Sequence, residues 1–206
     1  KRQFSANVYE LIVEAPLIAK SRRAGHFVIV RADEHGERIP LTIADSDVKN
    51  GTITLVVQSV GTSSGKICSK EVGEYLHDVV GPLGQATHIE KVGTVVCCGG
   101  GVGVAPLLPI IRAMKAAGNK VISVLAGRTK DLIILEDEVR ASSDEVIIMT
   151  DDGSYGNKGL VTNGVEDVLK REQVDMVVTI GPAIMMKFVA LLTKKYEVPT
   201  MCSLNT

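Results

Sequence analysis

The sequence predicts an α+β protein of two domains: an N-terminal antiparallel β-barrel over residues 1–90 and a C-terminal α/β domain with a parallel, nucleotide-binding type of sheet over residues 91–206. Three observations predict it. Residues 4–84 carry short runs rich in β-branched residues with turn residues between them, the spacing of a small antiparallel barrel. After Lys91, apolar strand-like runs alternate with helical segments, which implies a parallel sheet covered on both faces. At the first strand-to-helix junction of that half stands GGGVGVAP, residues 99–106, a turn shaped for a bound anion.

Length and composition bound the rest. A chain of 206 residues, 45% of them hydrophobic, accommodates one large domain or two small ones with a real core. Its 23 basic and 24 acidic residues are interspersed, which argues against nucleic acid or an anionic membrane as partner. No apolar run approaches the ~20 residues that span a bilayer, and the start has no signal-type segment, so a soluble cytoplasmic protein is expected. Cys68, Cys97, Cys98 and Cys202 show no CxxC spacing. Cys97 and Cys98, adjacent in an apolar run, read as small buried hydrophobes rather than disulfide or zinc residues. The chain opens on Lys1 and stops just after the strand-like residues 199–204, so further segments are expected at both ends.

In the first half, strands are expected at residues 8–13, 26–31, 39–43, 51–60 and 79–80, with turns at 33–36, 45–51 and 81–84. Only residues 64–75 have helical character. The preceding Gly61-Thr62-Ser63-Ser64-Gly65-Lys66 is not a P-loop, because three residues rather than four separate the glycines and Ile67 replaces the required hydroxyl. Small polar residues at such a turn hold a phosphate group or form a solvated turn, and both readings stay open. Arg38-Ile39-Pro40-Leu41-Thr42 joins a permanent cation, a rigid proline and a hydroxyl on one extended piece. That combination suits a flat polar ring with a diphosphate, and equally an edge strand.

In the second half, strands are expected at residues 94–98, 121–126, 145–150, 176–180 and 200–203, and helices at 105–117, 132–141, 165–172 and 183–196. Four glycines in five positions let backbone approach a bound group, unless the stretch is a glycine-rich connection without a ligand. The motif departs from GxGxxG: counted from Gly101, it runs Gly101-x-Gly103-x-x-Pro106, and the proline suits a first helical turn. Ligands of parallel sheets lie beyond the carboxyl ends of the strands. That rim gathers residues 99–103, Gly127-Arg128-Thr129, residues 151–156 and Gly181-Pro182 with Met185 and Met186, at least one of the two methionines belonging to the core. No acid closes the strand that ends near Gly127; Arg128 and Lys130 stand there instead. Arg128 either grips a 2′-phosphate or pairs with Asp131 or Glu136, which leaves NAD and NADP both open. There is no GxSxG elbow, HExxH pair or close histidine cluster; His26, His35, His77 and His88 read as surface or structural residues.

A barrel-like half followed by GGGVGVAP and Gly181-Pro182 resembles the ferredoxin–NADP reductase superfamily. RIPLT, VGPLG, AGRTKDLIILEDE, TDDGSYGNKGLVT and MCSLNT are most similar to one subgroup, which holds the small subunit of NADH-dependent ferredoxin–NADP oxidoreductase and the electron-transfer subunit of dihydroorotate dehydrogenase. The resemblance implies FAD in the first domain and NAD(P)H in the second. It places Arg38, Pro40, Leu41 and Thr42 on the flavin-contacting strand, with Thr42 as the catalytic residue, the hydrogen-bond donor nearest the flavin's reactive nitrogen. It places Gly61, Ser63 and Ser64 at the FAD pyrophosphate and Gly100, Gly101, Val102, Gly103 and Pro106 under the nicotinamide dinucleotide. Gly127, Arg128 and Asp152 fall on the adenosine side, and Gly181 and Pro182 on the same rim. Two departures stand out. Ile39 and Leu41 occupy the positions of the superfamily's usual arginine and aromatic, and Ile180 replaces the cysteine before Gly181.

The resemblance further implies a hetero-oligomer with a larger catalytic subunit, with ferredoxin, or with both, and neither nucleic acid nor membrane as partner. A 2Fe–2S cluster is expected only in a C-terminal segment absent from this chain, so neither Cys202 nor any other residue is assigned as a metal ligand. The implied activity takes a hydride from reduced nicotinamide onto FAD and returns electrons singly to an iron–sulfur partner, as a ferredoxin–NAD(P) reductase does. The alternatives are the electron-transfer subunit of dihydroorotate dehydrogenase, a stand-alone flavin or ferredoxin reductase, and a non-catalytic docking or redox-sensing module.

Overall fold

The computed structural model describes residues 1–204; Asn205 and Thr206, the end of the MCSLNT motif, lie outside them. The chain divides into two compact units, Lys1–His88 and Ile89–Thr206.

In the first unit β1 (Arg2–Ser5), β2 (Val8–Glu14), β3 (Phe27–Arg31), β4 (Ile39–Asp47), β5 (Thr52–Gln58) and β6 (Asp78–Leu83) form one sheet in the order β1-β2-β5-β4-β3-β6. Every pairing is antiparallel. Strand alternation sends Leu11 of β2, Val28 and Val30 of β3, Ile43 of β4 and Ile53, Leu55 and Val57 of β5 into one core that Val79 of β6 also packs against. Strands that share a single interior must wrap round it, and the expected barrel takes the form of this wrapped sheet. β4 makes the bend, where its register on β5 slips between Ile43 and Asp45. It runs four residues past the expected end at Ile43, because Asp45, Ser46 and Asp47 continue the ladder to Thr54, Ile53 and Thr52.

Two helices close this core, one more than the sequence reading admits. α1 (Pro16–Ser21) starts on a proline in its first turn and buries Ile18 and Ala19. α2 (Thr62–Ser69) buries Ile67 and Cys68. It stops short of the expected end at Tyr75, since Lys70 leaves the helix and Gly73 adopts a positive φ of 93°.

In the second unit β7 (Thr94–Gly100), β8 (Lys120–Gly127), β9 (Glu145–Thr150), β10 (Asn157–Lys158), β11 (Met176–Ile180) and β12 (Thr200–Cys202) pair in parallel, in the order β10-β9-β8-β7-β11-β12. The connecting helices are α3 (Val104–Ala116), α4 (Glu136–Arg140), α5 (Val161–Arg171) and α6 (Ala183–Lys195). Val161, Val165 and Val168 of α5 and Val189 of α6 pack on Val96, Cys98, Ile122 and Val124 of the central strands. Cys97 and Cys98 have no exposed surface, as their apolar setting predicts, and burial pushes the Cys98 thiol up to about 12.

The expected helix over residues 132–141 is a correction. A single 3-10 turn at Lys130–Leu132 comes first, Leu135 then takes a left-handed φ of 56°, and only Glu136–Arg140 is helical. Buried Ile134 and Leu135 gain more from packing than from continuing a helix. α5 conversely begins at Val161, before the expected residue 165. Among the described residues no helix is long and apolar enough to cross a membrane.

Candidate functional site

Strand order reverses at β7, which connects outward through β8, β9 and β10 on one side while β11 and β12 lie on the other. The crevice beyond such a switch point is where open parallel sheets bind ligands. Here the exit of β7 meets the exit of β11. A Cβ on Gly103 would stand 2.6 Å from the Ile180 carbonyl oxygen, and one on Gly181 would stand 3.3 Å from the Gly100 amide nitrogen. Gly99 is pressed by Leu107 and Gly100 by Met185, whose sulfur would lie 2.7 Å from an added Cβ.

Three of the four glycines are therefore demanded by protein packing. Gly101 differs: its φ is +56° and a Cβ there would meet nothing within 4 Å. It is the position that presents bare backbone to open space. Behind it, the 3-10 turn Gly101–Gly103 and α3 both begin without a side-chain cap, so their first amides have no side-chain partner. Pro106, third residue of α3, sacrifices no hydrogen bond; Pro109 sits inside the helix and does. Met186 is buried in the core, whereas Met185 brackets Gly100 and Gly181.

The exits of β8 and β9 are stitched together on the same rim. The Asp151 amide donates to the Gly127 carbonyl at 3.1 Å, the Asp152 amide to the Arg128 carbonyl at 3.3 Å, and the Lys130 amide to the Ser154 hydroxyl at 2.9 Å. The Ser154 hydroxyl, and then its amide at 2.9 Å, hold the Asp152 carboxyl below the usual carboxylate range. Tyr155 donates its hydroxyl to Glu136 at 3.0 Å, and that neighbouring acid pushes the phenol up. Lys130 sits 5.3 Å from the centre of the Tyr155 ring. Glu136 also takes Arg140 at 2.7 Å, so it does not serve Arg128. Arg128 is exposed and makes no ion pair among the described residues.

The first unit brings a second set together. Leu41 and Thr42 are half-buried on β4 opposite Val28 and Phe27, and Pro40 is exposed. Arg38 does not stand free: Asp78 takes its guanidinium at 2.9 Å and that of Arg31 at 2.8 Å. At the start of α2 the Ser64 hydroxyl accepts the Val60 and Gly61 amides, each at 3.0 Å, and the Ser63 hydroxyl donates to Glu37 at 3.1 Å. A Cβ on Gly61 would meet nothing within 4 Å.

Residues 97–191 match the family model of the oxidoreductase NAD-binding domain. A Thermotoga maritima protein described as a homolog of the dihydroorotate dehydrogenase B (NAD(+)) electron transfer subunit is 42% identical over 205 residues, all of this chain and 72% of that one. The chain belongs to the ferredoxin–NADP reductase superfamily. Its branch of that superfamily includes the Streptococcus pneumoniae dihydroorotate dehydrogenase B electron transfer subunit, 32% identical over 92% of this chain and 74% of that one. It also includes the solved NADH-dependent reduced ferredoxin–NADP oxidoreductase, with a TM-score of 0.94 and 40% identity over 99% of this chain and 74% of that one. Among the described residues no group of three or more His, Cys, Asp or Glu side chains is arranged to hold a metal ion.

The donor sets fit the cofactors of such an oxidoreductase. Ser64 takes the amide of Gly61, the N-cap, but Gly61 has no side chain to cap the amides that follow, and these first amides of α2 suit a diphosphate. Gly101 and the uncapped start of α3 suit a second, dinucleotide phosphate. One contributor escaped the sequence reading. Asn119 ties the chain before β7 to the end of α3, and its signal was an asparagine directly after Gly118 at a helix end. Glu136, a candidate partner of Arg128 in the sequence, fixes Tyr155 instead, and Met185, expected on the rim, brackets the glycine turns.

Proposed function

We propose that the chain is the FAD-bearing, NAD(P)H-oxidising electron-transfer subunit of a ferredoxin–NAD(P)+ oxidoreductase, working with a larger catalytic subunit, with ferredoxin, or with both. The observation that carries the reading is the switch point between β7 and β11, where packing consumes Gly99, Gly100 and Gly103 and leaves Gly101 open beside the uncapped start of α3. When bound, the flavin accepts a hydride and releases electrons one at a time. In the first unit, the first amides of α2 after Gly61 hold the FAD diphosphate, Ser64 fixes that turn by taking the Gly61 amide, Leu41 packs the ring, and the Thr42 hydroxyl donates to its edge. In the second, Gly101, Val102 and Pro106 receive the dinucleotide with Gly181 and Pro182 at the same rim. Gly127 and Arg128 meet its adenosine side, while Asp152 holds their loop in place. Hydride transfer demands orientation and exclusion of water rather than a side-chain acid or base.

The test is optical. The purified full-length protein is expected to be yellow, to release FAD on denaturation and to bleach anaerobically with NADH or NADPH; a colourless protein that takes up no flavin overturns the reading. A second reading, the electron-transfer subunit of a dihydroorotate dehydrogenase, is favoured by the 42% identical Thermotoga maritima relative. Dihydroorotate-dependent reduction of NAD by the native complex separates it from ferredoxin-dependent reduction.

A further inference from the structure

α6 has one face too many for a helix that only covers a sheet. Its inner face is used: Met186, Val189 and Thr193 are buried, and Leu192 packs on the core of the second unit. Its outer face carries Ile184, Phe188 and Leu191, spaced i, i+4 and i+7 and therefore aligned in one stripe, with 61%, 54% and 48% of their surfaces exposed. Lone exposed apolar residues need no explanation, but an aligned stripe of them marks a contact surface.

The charges round that stripe say what covers it. Lys187, Lys194 and Lys195 are exposed, the helix has no acidic residue, and none of the three lysines makes an ion pair among the described residues. Elsewhere in the unit Lys115, Lys120 and Lys170 are paired, with Asp144, Glu172 and Glu166, and Lys91, Lys130 and Lys158 make no ion pair among the described residues, so what sets α6 apart is three exposed cations on one helix beside an apolar stripe with no acid among them. An apolar centre with a charged rim is the anatomy of a protein interface, and unpaired cations on the rim select a partner of opposite sign. A lipid surface fits less well, because the stripe is a single side chain wide and the remaining apolar face is already packed on the sheet.

We propose that the outer face of α6 is the docking surface for a separate protein subunit that is acidic where it meets this chain. The inference rests on the reading of the chain as one subunit of an electron-transfer complex. α6 starts directly after Pro182, so a partner seated along it reaches the rim of the switch point.

The native complex, purified through the full-length chain, is treated with a zero-length carbodiimide that couples lysine amines to carboxylates, and the products are mapped by mass spectrometry. The expected result is coupling of Lys187, Lys194 or Lys195 to Asp or Glu residues of a different polypeptide, with exposed Lys49 uncoupled. Recombining the purified subunits, Phe188→Ser and the triple variant K187E/K194E/K195E are each expected to weaken association by about tenfold or more. The triple variant is also expected to reverse its salt dependence, associating better as salt is raised, and NADH reduction of the flavin is expected to persist in both. Coupling to a second copy of the chain, coupling within the full-length chain to a segment beyond the described residues, binding to phosphatidylserine vesicles in place of a protein, or unchanged association of both variants overturns the proposal while leaving the subunit reading intact. A native chain that is found monomeric overturns both.

Discussion

Gly103 faces the carbonyl oxygen of Ile180 across a gap in which an added Cβ would stand only 2.6 Å away. The two residues lie at the exits of β7 and β11, the strands between which the sheet reverses its winding. Absence of a side chain at Gly103 is thus what lets the two exits close on each other. The same turn leaves Gly101 facing outward, so one glycine cluster serves two ends: packing below and ligand approach above.

Those two ends separate by mutation. Gly103→Ala forces backbone against backbone, which costs about 1–3 kcal/mol of overpacking, and is expected to lower the thermal midpoint of the second unit. Gly101→Ala meets open space but must hold a left-handed φ of 56°, a strain of about 1–2 kcal/mol. Its larger effect is expected on the dinucleotide: KM for NAD(P)H rises by about tenfold or more while FAD stays bound. Loss of flavin from Gly101→Ala would count against the assignment of this turn.

Asn119 is a second structural pivot. Its Oδ1 accepts the Val92 and Gly93 amides at 2.8 and 3.0 Å, and its Nδ2 donates to the Glu90 and Met114 carbonyls at 2.9 Å each. Asn119→Ala strands several buried polar groups at once and is expected to cost about 3 kcal/mol, measured as a shift of the urea midpoint. Asn119→Asp keeps the acceptor but sets a buried carboxylate oxygen against the Glu90 and Met114 carbonyls, so at neutral pH it is expected to cost at least as much as alanine.

Much of this was legible in the chain, and the reasons are local. Period-2 runs around Leu11, Val28 and Leu55 and the strand–helix alternation after Lys91 reflect burial, which sequence records directly. α1 was invisible because six residues bury only Ile18 and Ala19, too few to show a period. The helix expected at residues 132–141 failed because Leu135 trades regular backbone for packing. At the site, glycine density pointed to the turn, but only the fold separates Gly101 from Gly103, since the atoms that press on Gly103 belong to Ile180 and Gly181. Arg38 looked like a free cation for a diphosphate, and Asp78, forty positions away, occupies it.

His26 gives the first unit a pH dependence of known sign. Its ring is buried and its Nδ1 accepts the Arg23 amide at 3.0 Å; burial first, then the charges of Arg23 and Arg22, hold its pKa below the usual 6.5. Below 6.5 the unfolded chain therefore takes up a proton that the folded one refuses, and stability falls as pH drops from 6.5 towards the folded value. Urea midpoints measured from pH 8 to pH 5 are expected to decline for the wild type and to flatten over that window in His26→Gln. An equal slope in both proteins would assign the dependence to other groups.

The start of α2 carries a charge of the wrong sign for the ligand proposed there. Glu37 is exposed and takes the Ser63 hydroxyl at 3.1 Å, at the positive end of the α2 dipole. A carboxylate in that position competes for the partial charge that a diphosphate would use, and it repels the diphosphate through solvent. Arg38 does not offset it, because its guanidinium is held by Asp78. Glu37→Gln keeps the size and a hydrogen-bonding group while removing the charge, so FAD is expected to bind about threefold or more tightly at low ionic strength, with the gain shrinking as salt is raised. Ser64→Ala acts in the opposite direction: it releases the Val60 and Gly61 amides from their shared acceptor, loosens the turn, and is expected to weaken FAD binding. Fluorescence titration of apoprotein with FAD measures both. If Glu37→Gln binds no better than wild type at low salt, the diphosphate does not lie at this helix start.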